Sequence, residues 1–228
     1  MIVPFASILR RAIRWHPARF ALAQGGLAMV EFALALPMLL GLTLGGLEIS
    51  NFIIASNTIQ RLATSSADML SQAGVGDITT SESQVYDMFY ALDVAAKPLD
   101  LRNHGRVILT VIKGVQQSGG TVRNEVADAV YSQQFDGGYT AAKALLGCRA
   151  KGEQLAEYRS LPANEIMVHA QVSYEYQPLL PGTELLSYFA APPVITRTAV
   201  FRMRKNVFQL TNDGAHPAKS NCTSKNGL

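Results

Sequence analysis

The sequence is poor in the residues that usually announce chemistry. Its 228 residues hold two cysteines, one tryptophan and four histidines, and only 16% are charged. Two cysteines, Cys148 and Cys222, exclude a disulfide-dense scaffold and a four-cysteine zinc site. They allow one bridge in an oxidising compartment, which spacing alone does not fix. The histidines (His16, His104, His169, His216) are scattered, with no paired metal-ligand spacing. No phosphate loop, dinucleotide fingerprint or Gly-x-Ser-x-Gly elbow is present, which argues against an enzyme and against a small-molecule substrate, a cofactor or a metal. Acid is missing from the first 30 residues, whereas Arg10, Arg11, Arg14 and Arg19 lie there. Setting those four aside, 16 basic residues face 17 acidic ones, so the formal +3 belongs to the leader. A near-neutral body offers no electrostatic footprint for nucleic acid.

What the sequence does have is apolar length. Hydrophobic residues make up 48% of the chain, and from Leu27 to Leu47 only Glu31 is ionisable. At ~1.5 Å per residue those residues reach across a hydrocarbon core of roughly 30 Å. Basic residues ahead of the run place the N-terminus in the cytoplasm and the body across the membrane, the periplasm in a Gram-negative cell. A cleaved signal peptide is the competing reading, with Ala33-Leu34-Ala35 as its Ala-x-Ala site. The run continues more than ten residues past that site, favouring a retained helix. Within the span Pro37 should weaken or kink the helix. Gly41 and Gly45 form a Gly-x-x-x-Gly pair that either packs a partner helix or is simply small-residue content. Glu48 marks the expected exit to water. Phe52, Ala55, Ile59, Leu62, Ala63, Met69 and Leu70 then recur at three-four spacing, predicting an amphipathic arm to Gln72, ended by Gly74 and Gly76.

The remainder reads as an α+β head with a small antiparallel sheet and short helices. Ser81-Glu82-Ser83-Gln84 starts a helix that Lys97-Pro98 closes. Residues 107–115 predict a central strand, and 121–135 a strand in their later part. Residues 141–146 predict a short helix ending at Gly147, and 183–189 another. Ile166 to Gln177 alternate apolar and polar, predicting a half-buried strand with His169 on its solvated face. Residues 194–205 predict a last strand. Its Arg197, Arg202, Arg204 and Lys205 form a solvated edge that blocks sheet pairing or, as a second reading, a dock for an acidic partner. The expected domains are a cytoplasmic basic leader (1–26), a transmembrane helix and arm (27–72), a periplasmic head (73–210) and a disordered tail (211–228).

Glu31 is the unusual residue. An ionised carboxylate at mid-helix in lipid costs roughly 2.5–3.5 kcal/mol, less near an interface. Either it stays wet or protonated, or it meets a cation in the membrane. One such cation is the α-amino group created if the chain is cut after Gly26. Glu31 would then be the fifth residue of a chain beginning at Leu27, placed to meet the terminal amine of a neighbouring helix.

Gly26-Leu27-Ala28-Met29-Val30-Glu31-Phe32 resembles the processing site of type IV prepilins and pseudopilins. The longer string to Gly46-Leu47-Glu48, with Val30-Glu31-Phe32 and Leu36-Pro37, resembles the TadE/TadG-like pilus assembly proteins. The chain is too short for the large domain of TadG proteins and lacks an Asp-x-Ser-x-Ser motif, so the resemblance is to TadE. It implies a minor pseudopilin of a Tad (Flp) pilus in the inner membrane, with Gly26 the last leader residue, Leu27 the mature N-terminus and Glu31, beside Phe32, the assembly glutamate. Its partners would be a prepilin peptidase, other pilins or pseudopilins and Tad machinery proteins. An uncleaved bitopic scaffold of the same machinery is the alternative.

Overall fold

The computed structural model describes residues 18–73, 79–114, 130–146, 161–179, 193–205, 207–211, 213–217 and 219. The chain divides into two compact units, Met1–Leu47 and Glu48–Leu228. Helix α1, Ala18–Gln72, is continuous through Pro37 and ends before the glycines that were expected to stop it.

In the first unit, residues 26–47 are exposed except for half-buried Gly45. Leu27, Phe32, Met38 and Leu42 are among the large apolar side chains left uncovered. A helix apolar all round, with no face set aside for a core, suits lipid as its solvent. The segment is long and apolar enough to cross a membrane. Thr43 satisfies its hydroxyl internally, donating to the carbonyls of Leu39 and Leu40 at 3.0 Å.

In the second unit the later part of α1 changes character. Ala55, Ile59, Leu62, Ala63, Ala67 and Leu70 are buried, at the spacing of one helix face. Helix α2, Glu82–Ala96, packs beside it through Val85, Phe89 and Leu92. Ser81 caps α2 by a reciprocal box in which Gln84 returns a bond to the Ser81 N–H. A short helix α3, Leu101–His104, then leads into the sheet.

Strand β1, Thr79–Ser81, precedes α2. The main sheet comprises β2 (Gly105–Lys113), β3 (Val130–Asp136), β4 (Ile166–Glu175) and β5 (Val194–Arg202). It is antiparallel in the order β3-β2-β4-β5, with Leu109 opposite Ala170 and Ala170 opposite Ala199. Val107, Leu109 and Val111 of β2 and Val168, Ala170 and Val172 of β4 turn to the helices and form the core. Gly137, at φ +100° where an added Cβ would meet the Gly105 carbonyl, makes the turn after β3.

Three expectations change. Residues 141–146 form turns and irregular backbone rather than a helix. Their polar groups are taken by two glutamines from the sheet. Gln171 accepts from the Leu145 N–H at 2.8 Å and donates to the Lys143 carbonyl at 2.9 Å. Gln133 donates to the Leu146 carbonyl at 2.7 Å. For the same reason the polar face of β4 is not solvated: His169, Gln171 and Ser173 are all buried. Beneath this cover Ile112, Leu146 and Leu161 form a second small core.

The third change concerns the expected tail. Strand β6, Gln209–Thr211, pairs in parallel with β1. Beyond it Asp213 accepts from the Ser83 N–H at 2.8 Å, Tyr86 donates to the Pro217 carbonyl at 2.8 Å, and Lys219 meets Asp136 at 2.6 Å. Residues 207–219, where described, are therefore a strap across α2 and β3. The basic edge stands as read: β5 is an outer strand of the sheet, and Arg197 and Arg202 are exposed on it, Arg197 donating to Ser56 of α1 at 2.7 Å and Arg202 pairing with Glu165. The expected helix over 183–189, the leader before residue 18, and both Cys148 and Cys222 lie outside the described residues.

Candidate functional site

Gly26, Leu27, Glu31 and Phe32 lie in consecutive turns of α1, all exposed. Leu27 and Glu31, four apart, share one side of the helix. Neither Gly26, Gly41 nor Gly45 has anything within 4 Å of where a Cβ would stand, so the glycine side of this segment is open to a neighbour. The bond between Gly26 and Leu27 falls inside the continuous helix. Gly25 and Gly26 make that turn the weakest in the segment, by about 1 kcal/mol per glycine relative to alanine.

About 25 Å further along the axis, at ~1.5 Å per residue, comes the second carboxylate. Glu48 was expected to mark the exit to water, but only 4% of it is exposed. Its Oε1 accepts from the Tyr176 hydroxyl at 2.6 Å and its Oε2 from the Leu179 N–H at 3.0 Å. Asn51 donates to the same hydroxyl at 2.9 Å. Phe52 meets the Tyr176 ring edge-on, centroids 5.2 Å apart. Burial and the neighbouring Glu48 carboxylate push the Tyr176 hydroxyl up to about 12, so it stays a donor at any physiological pH. The arrangement clamps the first turn after the apolar run to the end of β4.

Sequence reasoning missed this clamp, yet a signal existed. Glu48, Phe52, Ala55 and Ile59 follow one another by four, three and four, so Glu48 stands on the core stripe of the arm. Among the described residues no cluster of histidine, cysteine and acidic side chains could hold a metal ion.

Residues 26–68 match the family model for TadE-like protein. This stretch is a TadE-like segment. It begins at Gly26 and takes in the exposed apolar helix, Glu31, the glycine pair, Glu48 and most of the arm, but not Tyr176 or Leu179. No curated protein and no solved structure matches the chain.

Proposed function

We propose that the protein is a minor pseudopilin or assembly component of a Tad pilus, anchored in the bacterial inner membrane by residues 27–47 with its leader cytoplasmic and its head periplasmic. The observation that carries this reading is that the TadE-like match opens at Gly26 itself, on an apolar helix whose single internal charge is Glu31.

Cleavage after Gly26 by a prepilin peptidase leaves the Leu27 amine at the end of an apolar helix. In a stack of such helices, the Glu31 carboxylate of one subunit neutralises the Leu27 ammonium of the next. Two buried charges, each costly alone, then stabilise each other in lipid. Phe32 packs beside this pair, and Gly41 and Gly45 let helices approach closely. Other pilins, pseudopilins and Tad machinery proteins are the partners on this account.

The test is substitution of Glu31. Glu31→Gln and Glu31→Ala should both abolish assembly while the chain still accumulates in the membrane, and surface pili counted by electron microscopy report it. Undiminished piliation in both variants would remove the carboxylate–amine pairing. One observation favours the second reading, an uncleaved bitopic scaffold: the Gly26–Leu27 bond lies within unbroken helix. On that reading the leader persists in the working protein and Glu31 is dispensable.

A further inference from the structure

The strap is anchored at one end and lightly held along the rest. Phe208 is buried in the main core and fixes its start. Past Phe208, β6 offers three residues to β1. Among the described residues the contacts beyond Thr211 are single polar or ring contacts. Besides the bonds to Ser83 and Tyr86, the His216 ring lies against the Tyr86 ring with centroids 4.6 Å apart. At the far end the Lys219 carbonyl accepts from the Phe135 N–H at 3.0 Å, on the outer strand β3.

Where the strap crosses α2, the first turn of that helix hides a carboxylate. Glu82 is 2% exposed, and its Oε2 has no hydrogen-bond partner. The Lys219 backbone offers Glu82 one hydrogen bond, and the Asp213 carboxylate is close enough to repel it. The elements around this turn carry Asp213, His216 and Lys219 on the strap, Tyr86 and Asp87 on α2, Asp136 on β3 and Asp68 on α1, while β1 carries no titratable group. Neither possible cation answers Glu82. The Lys219 ammonium is taken by Asp136 at 2.6 Å, and His216 Nδ1 faces Asp213 at 3.9 Å. Burial, with Asp213 adding to it, pushes the Glu82 carboxyl up from its usual 4.5.

We propose that the strap is a proton-sensitive latch on α2 with Glu82 as its sensor: neutral Glu82 lets the strap close, and ionised Glu82 loosens it from β6 onward. The closed state strips water from the carboxylate, whereas the released state returns it. The hold is therefore full below the released value of 4.5 and weakens as pH rises from there through the raised value. Release turns about Phe208 and frees the Phe135 N–H on the outer edge of β3, a backbone donor of the kind that edge strands keep covered.

Hydrogen exchange of the full-length protein in detergent, at pH 4.5 and pH 7.5, tests the latch. Rates are corrected for the intrinsic pH dependence of exchange and referred to β4, because buried His169 shifts the stability of the head in the opposite sense. Peptides over residues 209–217 should be several-fold better protected at pH 4.5 than at pH 7.5. Glu82→Gln should show the higher protection at both pH values. His216→Phe keeps a ring against Tyr86 without an imidazole, and should leave the wild-type difference in place. Equal wild-type protection at the two pH values, or better protection at pH 7.5, overturns the latch. A pH difference that persists in Glu82→Gln does the same. A difference that disappears in His216→Phe belongs to the imidazole and overturns Glu82 as the sensor. Near-UV circular dichroism checks that each variant is folded. Should Glu82→Gln fail that check, wild type and His216→Phe decide by the same outcomes.

Discussion

Glu48 and Tyr176 illustrate how a polar pair is kept under an apolar run. The carboxylate receives two donors and the hydroxyl receives one, so neither is left bare in the interior. Removing the hydroxyl with Tyr176→Phe should destabilise the head by roughly 1–3 kcal/mol, because a buried carboxylate loses a charge-assisted donor. Urea unfolding of the detergent-solubilised protein reads this, and an unchanged midpoint would contradict the clamp. His169 makes the complementary case. Burial drives its imidazole down to about 4, so the folded state prefers it neutral. Its contribution is intact above the unfolded value near 6.5 and is lost as pH falls from there through 4. The wild-type head should therefore lose on the order of 3 kcal/mol between pH 7 and pH 4 that His169→Gln does not lose. Denaturation midpoints at the two pH values compare them.

Among the elements, the irregular cover over residues 139–146 and the terminal strap are the parts whose side chains replace secondary structure. Gln171→Leu strands the Leu145 N–H and the Lys143 carbonyl. Amide exchange should quicken across residues 143–146, at a cost of roughly 1–3 kcal/mol. In the strap, hydrogen bonds from Ser83 and Ala215 hold Asp213 down to about 2. Its carboxylate therefore keeps its grip at every pH above its unfolded value near 3.8, weakening only as pH falls through about 2. Asp213→Ala should raise amide exchange at Ser83 and over residues 209–217 while leaving β4 protected. Local patterns that decide themselves were legible in advance: the Ser81–Gln84 capping box, the β-branched run of β2, the alternation of β4 and the three-four stripe of the arm. The cover was not, because Ala141 to Leu146 has helix-forming residues and nothing local reveals that Gln133 and Gln171 compete for its backbone. The polar half of β4 was misread for the same reason, since burial there comes from a segment more than 20 residues away in sequence. The strap looks like a solvated tail by composition and is held by single polar contacts that composition does not encode.

For the whole molecule, the candidate site was legible where one residue type violates its surroundings. Glu31 stands out in a run of Leu, Ala and Met without any knowledge of the fold, and the reading of Gly26 as the last leader residue is what the prepilin-like resemblance implies. Glu48 was not legible as a clamp, because its partners Tyr176 and Leu179 lie more than 120 residues away in sequence. The two carboxylates differ in surroundings: Glu31 is exposed on the apolar helix, whereas Glu48 is buried and bonded to Tyr176 and Leu179 within the head. The most direct measurement is the N-terminal sequence of the protein extracted from membranes of cells that also make an active prepilin peptidase. A chain beginning Leu-Ala-Met-Val-Glu is predicted, and a chain that retains Met1 through Gly26 under those conditions would contradict the pseudopilin account.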